Sequence, residues 1–167
     1  YNLKFNRIIL GGAQFGFKYG EVSSSNFTSK KTLSFLNFAN ELGVNIVDTS
    51  PGYKLSEKRI GNYLKKKKNK LTVITKLQKL NEKLPKNKLY DKIKKSILVS
   101  KKKLYKNNLI VLTHEIYKSN NFFKKVLSVL SELKKENFII DYGSSVYYLN
   151  QMKIIFQFSD LKYVEIP

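Results

Sequence analysis

At 167 residues, 42% hydrophobic and 13% aromatic, the chain is long enough for one domain with a real core, which excludes a disordered polymer. The absence of cysteine excludes disulfides and thiolate metal sites and makes a reducing cytoplasm the expected compartment; no apolar run reaches the roughly 18 to 20 residues that cross a bilayer. The net charge of +20 leaves two roles open, an anion-binding surface or a solvated, lysine-rich one.

In chain order, residues 8–20 (IILGGAQFGFKYG) read as a short hairpin or loop. Residues 29–43 (SKKTLSFLNFANELG) have a helical pattern, with Ser29 as a cap and Gly43 as a stop. From there, apolar runs and helical patterns alternate. The runs are VNIVD (44–48), LTVITK (71–76), LIVLTH (109–114), NFIIDYGSS (137–145) and KYVEIP (162–167). Each is short and lacks strict polar alternation, as suits strands covered on both faces of a parallel sheet. Between them, 56–64 opens on Ser56, a good N-cap, and runs toward a lysine tract. Residues 89–105 put Leu89, Ile93, Ile97 and Leu104 on one side. Residues 122–137 end at Asn137, which tolerates a left-handed stop, and 148–158 form the last helix. Strand and helix in alternation predict a single α/β domain with about five parallel strands.

Asp48, Lys76, His114 and Ser145 each fall at the C-terminal end of one apolar run. In parallel α/β architectures those ends share one face, where active sites are built. The Pro-Gly loop after Asp48 returns Tyr53 over the same face. A phenol beside an ammonium is expected to have a lowered pKa, and a carboxylate would keep that lysine charged and fixed. A histidine there can orient a substrate oxygen. Such a set suits protonation of a carbonyl oxygen as a hydride arrives at carbon, which implies a nicotinamide cofactor.

NIVDTSPGYKLSEKRIG (45–61) resembles the aldo/keto reductase signature, in which a strand ends in Asp-Thr, a tyrosine follows five residues after the Asp, and Ser-Glu opens a helix. VITK ending at Lys76, VLTH ending at His114 and the Gly-x-Ser of YGSSVY resemble the next three strand ends, in order. ILGGAQFGFKYG resembles the N-terminal stretch of bacterial members associated with surface-polysaccharide genes. The resemblance implies a (β/α)8 TIM-type barrel that binds NADPH. It makes Tyr53 the general acid, Lys76 its pKa-lowering partner, Asp48 the acid pairing with Lys76, and His114 the residue orienting the carbonyl. Ser145 would hydrogen-bond the nicotinamide carboxamide, with Gly12, Ala13 and Asp48 also near the cofactor. Glu165 stands where the family usually has a carboxamide-binding glutamine, Val146 replaces a common asparagine, and Lys54 a common glycine.

The barrel has eight strands in about 250 residues, so this chain is expected to be the N-terminal portion, 1–167, of an incomplete barrel with about five strands. It starts at Tyr1 and stops inside an apolar run, as a fragment would. Alone, such a piece is expected to have negligible reductase activity and to self-associate through exposed barrel edges. The expected function is NADPH-dependent reduction of a small-molecule carbonyl, with a sugar derivative hinted at. The alternative is a non-catalytic half-barrel that binds partners through its basic surface. Only Arg7 and Arg59 among the 32 basic residues are arginine, so the bidentate fork of specific nucleic-acid recognition is nearly missing and no such partner is expected. The glycines of LGGAQFG fit neither the dinucleotide nor the P-loop spacing.

Overall fold

Six short strands alternate with five helices in the computed structural model, which describes residues 8–18, 27–67, 71–114 and 117–166. The strands are β1 (Ile9–Gly11), β2 (Ile46–Asp48), β3 (Thr72–Leu77), β4 (Ile110–Thr113), β5 (Asp141–Ser145) and β6 (Tyr163–Glu165). The helices are α1 (Ser29–Glu41), α2 (Ser56–Lys67), α3 (Lys86–Leu104), α4 (Asn120–Lys135) and α5 (Leu149–Ile155). The sheet order is β1-β2-β3-β4-β5-β6, and every neighbouring pair is parallel. Each helix therefore carries the chain one strand over, always onward. A doubly wound sheet would reverse direction at a switch point within the strand order, so this connectivity is that of an incomplete (β/α)8 barrel, open along β1 and β6.

The first apolar stretch corrects the expectation of a hairpin. Ile9–Gly11 pair in parallel with Ile46–Asp48, and Ala13–Phe15 form a 3-10 turn. The last two residues of that stretch lie outside the described residues. Three strand residues are too few for any periodicity to show, and their partner is a strand far along the chain. The sheet consequently has six strands, not five.

Helix ends follow side-chain chemistry. Thr28, not Ser29, caps α1 by accepting from the Lys31 amide at 3.2 Å. Ser119 caps α4 by accepting from the Phe122 amide at 3.2 Å. Asn137 adopts the left-handed conformation just after α4 (φ 56°), as its side chain permits.

Alternation along the strands divides the core. Val47, Val73, Leu77, Val111 and Tyr142 point outward and are buried beneath the helices, against Ile60, Ile93, Phe123 and Leu130 among others. Ile74, Ile110 and Leu112 form a second cluster with Ile46 and Tyr163 on the inner side of the curved sheet. The expected stripe of α3 (Leu89, Ile93, Ile97, Leu104) is fully buried. Where α2 meets α3, Gly61 is packed so closely that an added Cβ would lie 2.0 Å from the Lys103 carbonyl oxygen and 2.9 Å from Leu104 Cα. Both atoms are backbone and cannot swing aside. Gly61→Ala is expected to lower stability by about 1–3 kcal/mol, read as a lower thermal midpoint; an unchanged midpoint would contradict this close approach. No helix among the described residues is long and apolar enough to cross a membrane.

Candidate active site

Strand register brings the polar strand ends together. Asp48 pairs with Ile74, Lys76 with Leu112, and Ser145 with Glu165. Counting by twos from the inner apolar cluster, Ile46 leads to Asp48, Ile74 to Lys76, Leu112 to His114, and Tyr163 to Glu165. The same parity that puts isoleucine inside the sheet thus puts a titratable group at its C-terminal mouth.

Lys76 is the hub. Its ammonium lies 2.6 Å from both Asp48 oxygens and 3.0 Å from Glu165 Oε2, and the residue is almost wholly buried. Ser145 Oγ sits 3.4 Å from the same Glu165 oxygen. The Lys76 ammonium also stands 5.4 Å from the centre of the Tyr53 ring. The His114 ring meets the phenol edge-on, 5.8 Å between ring centres and at 86°. Four residues expected to act together, Asp48, Tyr53, Lys76 and His114, therefore form one constellation, with Ser145 and Glu165 along its rim.

Burial sets the charges. It pushes the Asp48 carboxyl up to about 6 even though Lys76 pulls it down, and Glu165 adds to the rise. Burial opposes the Lys76 ammonium, yet Asp48 and then Glu165 hold it above its ordinary value. The two partners respond to one geometry in the same direction: both keep their protons longer than in water. Asp48 binds a proton more tightly when folded, so its contribution to stability is fully present below its ordinary value of 3.8 and is lost as pH rises through about 6. The Tyr53 phenol corrects an expectation. Burial raises its pKa, and the Asp48 and Glu165 charges offset the lowering by Lys76, so the net direction is up.

The loop that carries Tyr53 is pinned at several points. The Tyr53 carbonyl accepts from the Ser56 amide at 2.9 Å, and its backbone crosses directly over Gly16, where an added Cβ would lie 1.7 Å from that carbonyl oxygen. Thr49 Oγ1 lies 2.8 Å from Ser56 Oγ, which donates to the Gly12 carbonyl at 2.7 Å. Arg59 reaches from α2 to the Phe15 carbonyl. Gly12 and Ala13 follow directly on β1, and their backbone is engaged internally. The Gly12 amide donates to Asp48 O at 2.8 Å, and the Ala13 carbonyl accepts from the Gly16 amide at 2.9 Å.

Sequence reasoning missed Ser50. This buried hydroxyl accepts from the Gly52 amide at 3.1 Å and lies 3.2 Å from His114 Nδ1. With the Ser50 proton directed at Nδ1, the ring proton is assigned to Nε2. The short Asp-Thr-Ser-Pro-Gly turn folds Ser50 back beneath the histidine.

The family model for the aldo/keto reductase family matches residues 7–166. The chain belongs to the aldo/keto reductase family. Solved structures agree on the fold. An aldo-keto reductase from Pseudomonas aeruginosa is 22% identical, with a TM-score of 0.69 over 98% of this chain and 75% of its own. The holo form of an aldo-keto reductase from Bacillus halodurans is 20% identical, with a TM-score of 0.75 over 94% of this chain and 51% of its own. An aldo-keto reductase from Klebsiella pneumoniae, solved with NADPH, is 15% identical, with a TM-score of 0.71 over 93% and 52%. The chain thus spans three quarters of the first of these and about half of the other two. No curated protein matches it.

The sheet mouth has room for a flat ring. A cavity of about 390 Å³ on the inner face is bordered by Gly11, Asp48 and Glu165 at the top and by Ile74, Leu112 and Tyr163 along its wall. The Glu165 carboxylate stands at its rim as an acceptor, with the buried Ser145 Oγ behind it donating to the same carboxylate at 3.4 Å. A second cavity of about 560 Å³ opens beside His114, lined in part by Tyr117, Lys118, Tyr147 and Gln151.

Proposed function

We propose that the protein reduces a small-molecule carbonyl to an alcohol with a nicotinamide cofactor, NADPH, and that this chain supplies the first six strands of its barrel. The observation that carries the reading is the Asp48–Lys76–Tyr53–His114 constellation at one sheet mouth. The bound cofactor supplies a hydride to the carbonyl carbon. Tyr53 holds its proton through the neutral range and gives it to the carbonyl oxygen as that oxygen gains charge. Lys76 stabilises the phenolate left behind, and water returns the proton afterwards. Asp48 keeps the ammonium in place, because a buried lysine without a counter-ion would shed its proton. His114, held by Ser50, directs its Nε2 proton to the carbonyl oxygen and sets its angle. Ser145 and Glu165 hold the carboxamide. The cavity beside His114 takes the rest of the substrate, whose class the aromatic and amide lining leaves compatible with a sugar derivative.

The 167-residue piece on its own is expected to show little or no turnover and to self-associate along β1 and β6, because an open half-barrel admits water to the site and leaves two sheet edges unpaired. The test uses the protein purified from its source. Loss of NADPH absorbance on addition of an aldehyde is the expected result. NADPH that stays intact with every aldehyde and ketone tried would sink the reductase reading and favour a binding role for the barrel.

A further inference from the structure

Lys76 has two carboxylates against one ammonium. Asp48 takes both of its oxygens to 2.6 Å, and Glu165 comes from the last strand to 3.0 Å. Ser145 Oγ, 3.4 Å away on β5, steadies the same Glu165 oxygen. Two carboxylates and one lysine sum to a net negative site inside a chain whose total is +20. The lysine-rich surface does little to cancel this, because exposed charges beyond about 10 Å are screened, whereas Lys76 and Asp48 are buried and the half-exposed Glu165 touches the ammonium directly.

We infer that Glu165, besides its place at the carboxamide, has a positioning role: it is a second counter-ion that divides the Lys76 ammonium and leaves excess negative charge beside the Tyr53 ring. The inference rests on Tyr53 as the proton donor. The charged groups that face this phenol are Lys76, Asp48 and Glu165; its ring neighbours are His114 and Phe17, with the Lys54 ammonium 5.7 Å from the Phe17 ring. A phenolate formed there meets one cation already shared between two anions. The phenol keeps its proton to higher pH than a singly paired lysine would allow. Proton donation, the reducing direction, is favoured. Proton acceptance by a phenolate, which alcohol oxidation needs, is confined to alkaline conditions. Glu165 also keeps Lys76 paired when Asp48 takes up its proton near pH 6.

The experiment follows the Tyr53 ring carbon next to oxygen by NMR against pH, in protein labelled with 13C at that tyrosine position. Tyr53→Phe assigns the signal, and buried Tyr142, held above the ordinary phenol range by burial and its bond to Asp160, reports that the fold is intact. Glu165→Gln is expected to move the Tyr53 midpoint down, and the Asp48 carboxyl midpoint down with it. Glu165→Asp, which keeps the charge but withdraws it by one methylene, is expected to fall between wild type and Gln. That ordering can be read from the Asp variant alone if the Gln variant does not fold. A Tyr53 midpoint unchanged or raised in folded Glu165→Gln, or an Asp variant indistinguishable from wild type, would overturn the inference. A failure of Tyr53 as donor looks different: the midpoints shift as described, yet Tyr53→Phe keeps its turnover.

Discussion

Replacing Tyr53 with phenylalanine is expected to lower carbonyl turnover by about 10²–10⁴-fold while leaving NADPH affinity unchanged. The substitution removes one oxygen and little else. The ring stays against His114 and Phe17, and the loop stays pinned by Ser56 and by its crossing of Gly16. What is lost is the phenol that stands against the Lys76–Asp48 pair. Without it, the oxygen that gains charge as hydride arrives has no positioned proton. His114 cannot take over easily, because its Nδ1 side is tied to Ser50. Steady-state rates and cofactor titration together check the expectation. A fall in NADPH affinity matching the fall in rate would mean that Tyr53 serves binding, not proton transfer.

Lys76→Met is expected to have the largest effect on stability. Methionine fills the same buried space, but it leaves Asp48 inside with no cation; its side chain is only 16% exposed. Removing one partner of a buried pair costs about 3–5 kcal/mol, and the partial exposure of Asp48 places this case near the lower end, about 3 kcal/mol. Glu165 adds little because it is more exposed. The loss depends on pH with a definite sign. Asp48 already holds its proton near pH 6 in the intact site, and without Lys76 it holds it to higher pH still. The variant should therefore be hurt most at about pH 8 and least at about pH 5, where a neutral carboxyl needs no counter-ion. Denaturant midpoints at the two pH values decide it. Equal losses at both would show that Asp48 is not the group left stranded. Asp48→Asn placed on top of Lys76→Met should recover much of the loss at high pH.

Much of this site can be read from the chain because a polar residue that ends an apolar run stands out. Asp48, Lys76, His114 and Ser145 are visible that way, and Tyr53 through its spacing from Asp48. Which face they share is not visible. The runs are apolar on both sides, as buried parallel strands must be, so their parity appears only once register is known. β1 is hidden by its length of three residues. The acidity of Tyr53 could not be read either. The ammonium beside it suggests a lowered pKa, but the net effect depends on burial and on a second carboxylate delivered by β6. The bond from Ser50 to His114 spans 64 residues, and no local pattern records it.

Hydride transfer to a carbonyl at this mouth, as proposed, leaves an isotopic trace. The direct measurement gives the protein purified from its source NADPH deuterated at the reactive ring carbon, supplies an aldehyde, and weighs the product. The expected product is an alcohol with one deuterium on the former carbonyl carbon, formed by wild type and nearly lost in Tyr53→Phe. An alcohol free of deuterium, or equal labelling with Tyr53 removed, would contradict it.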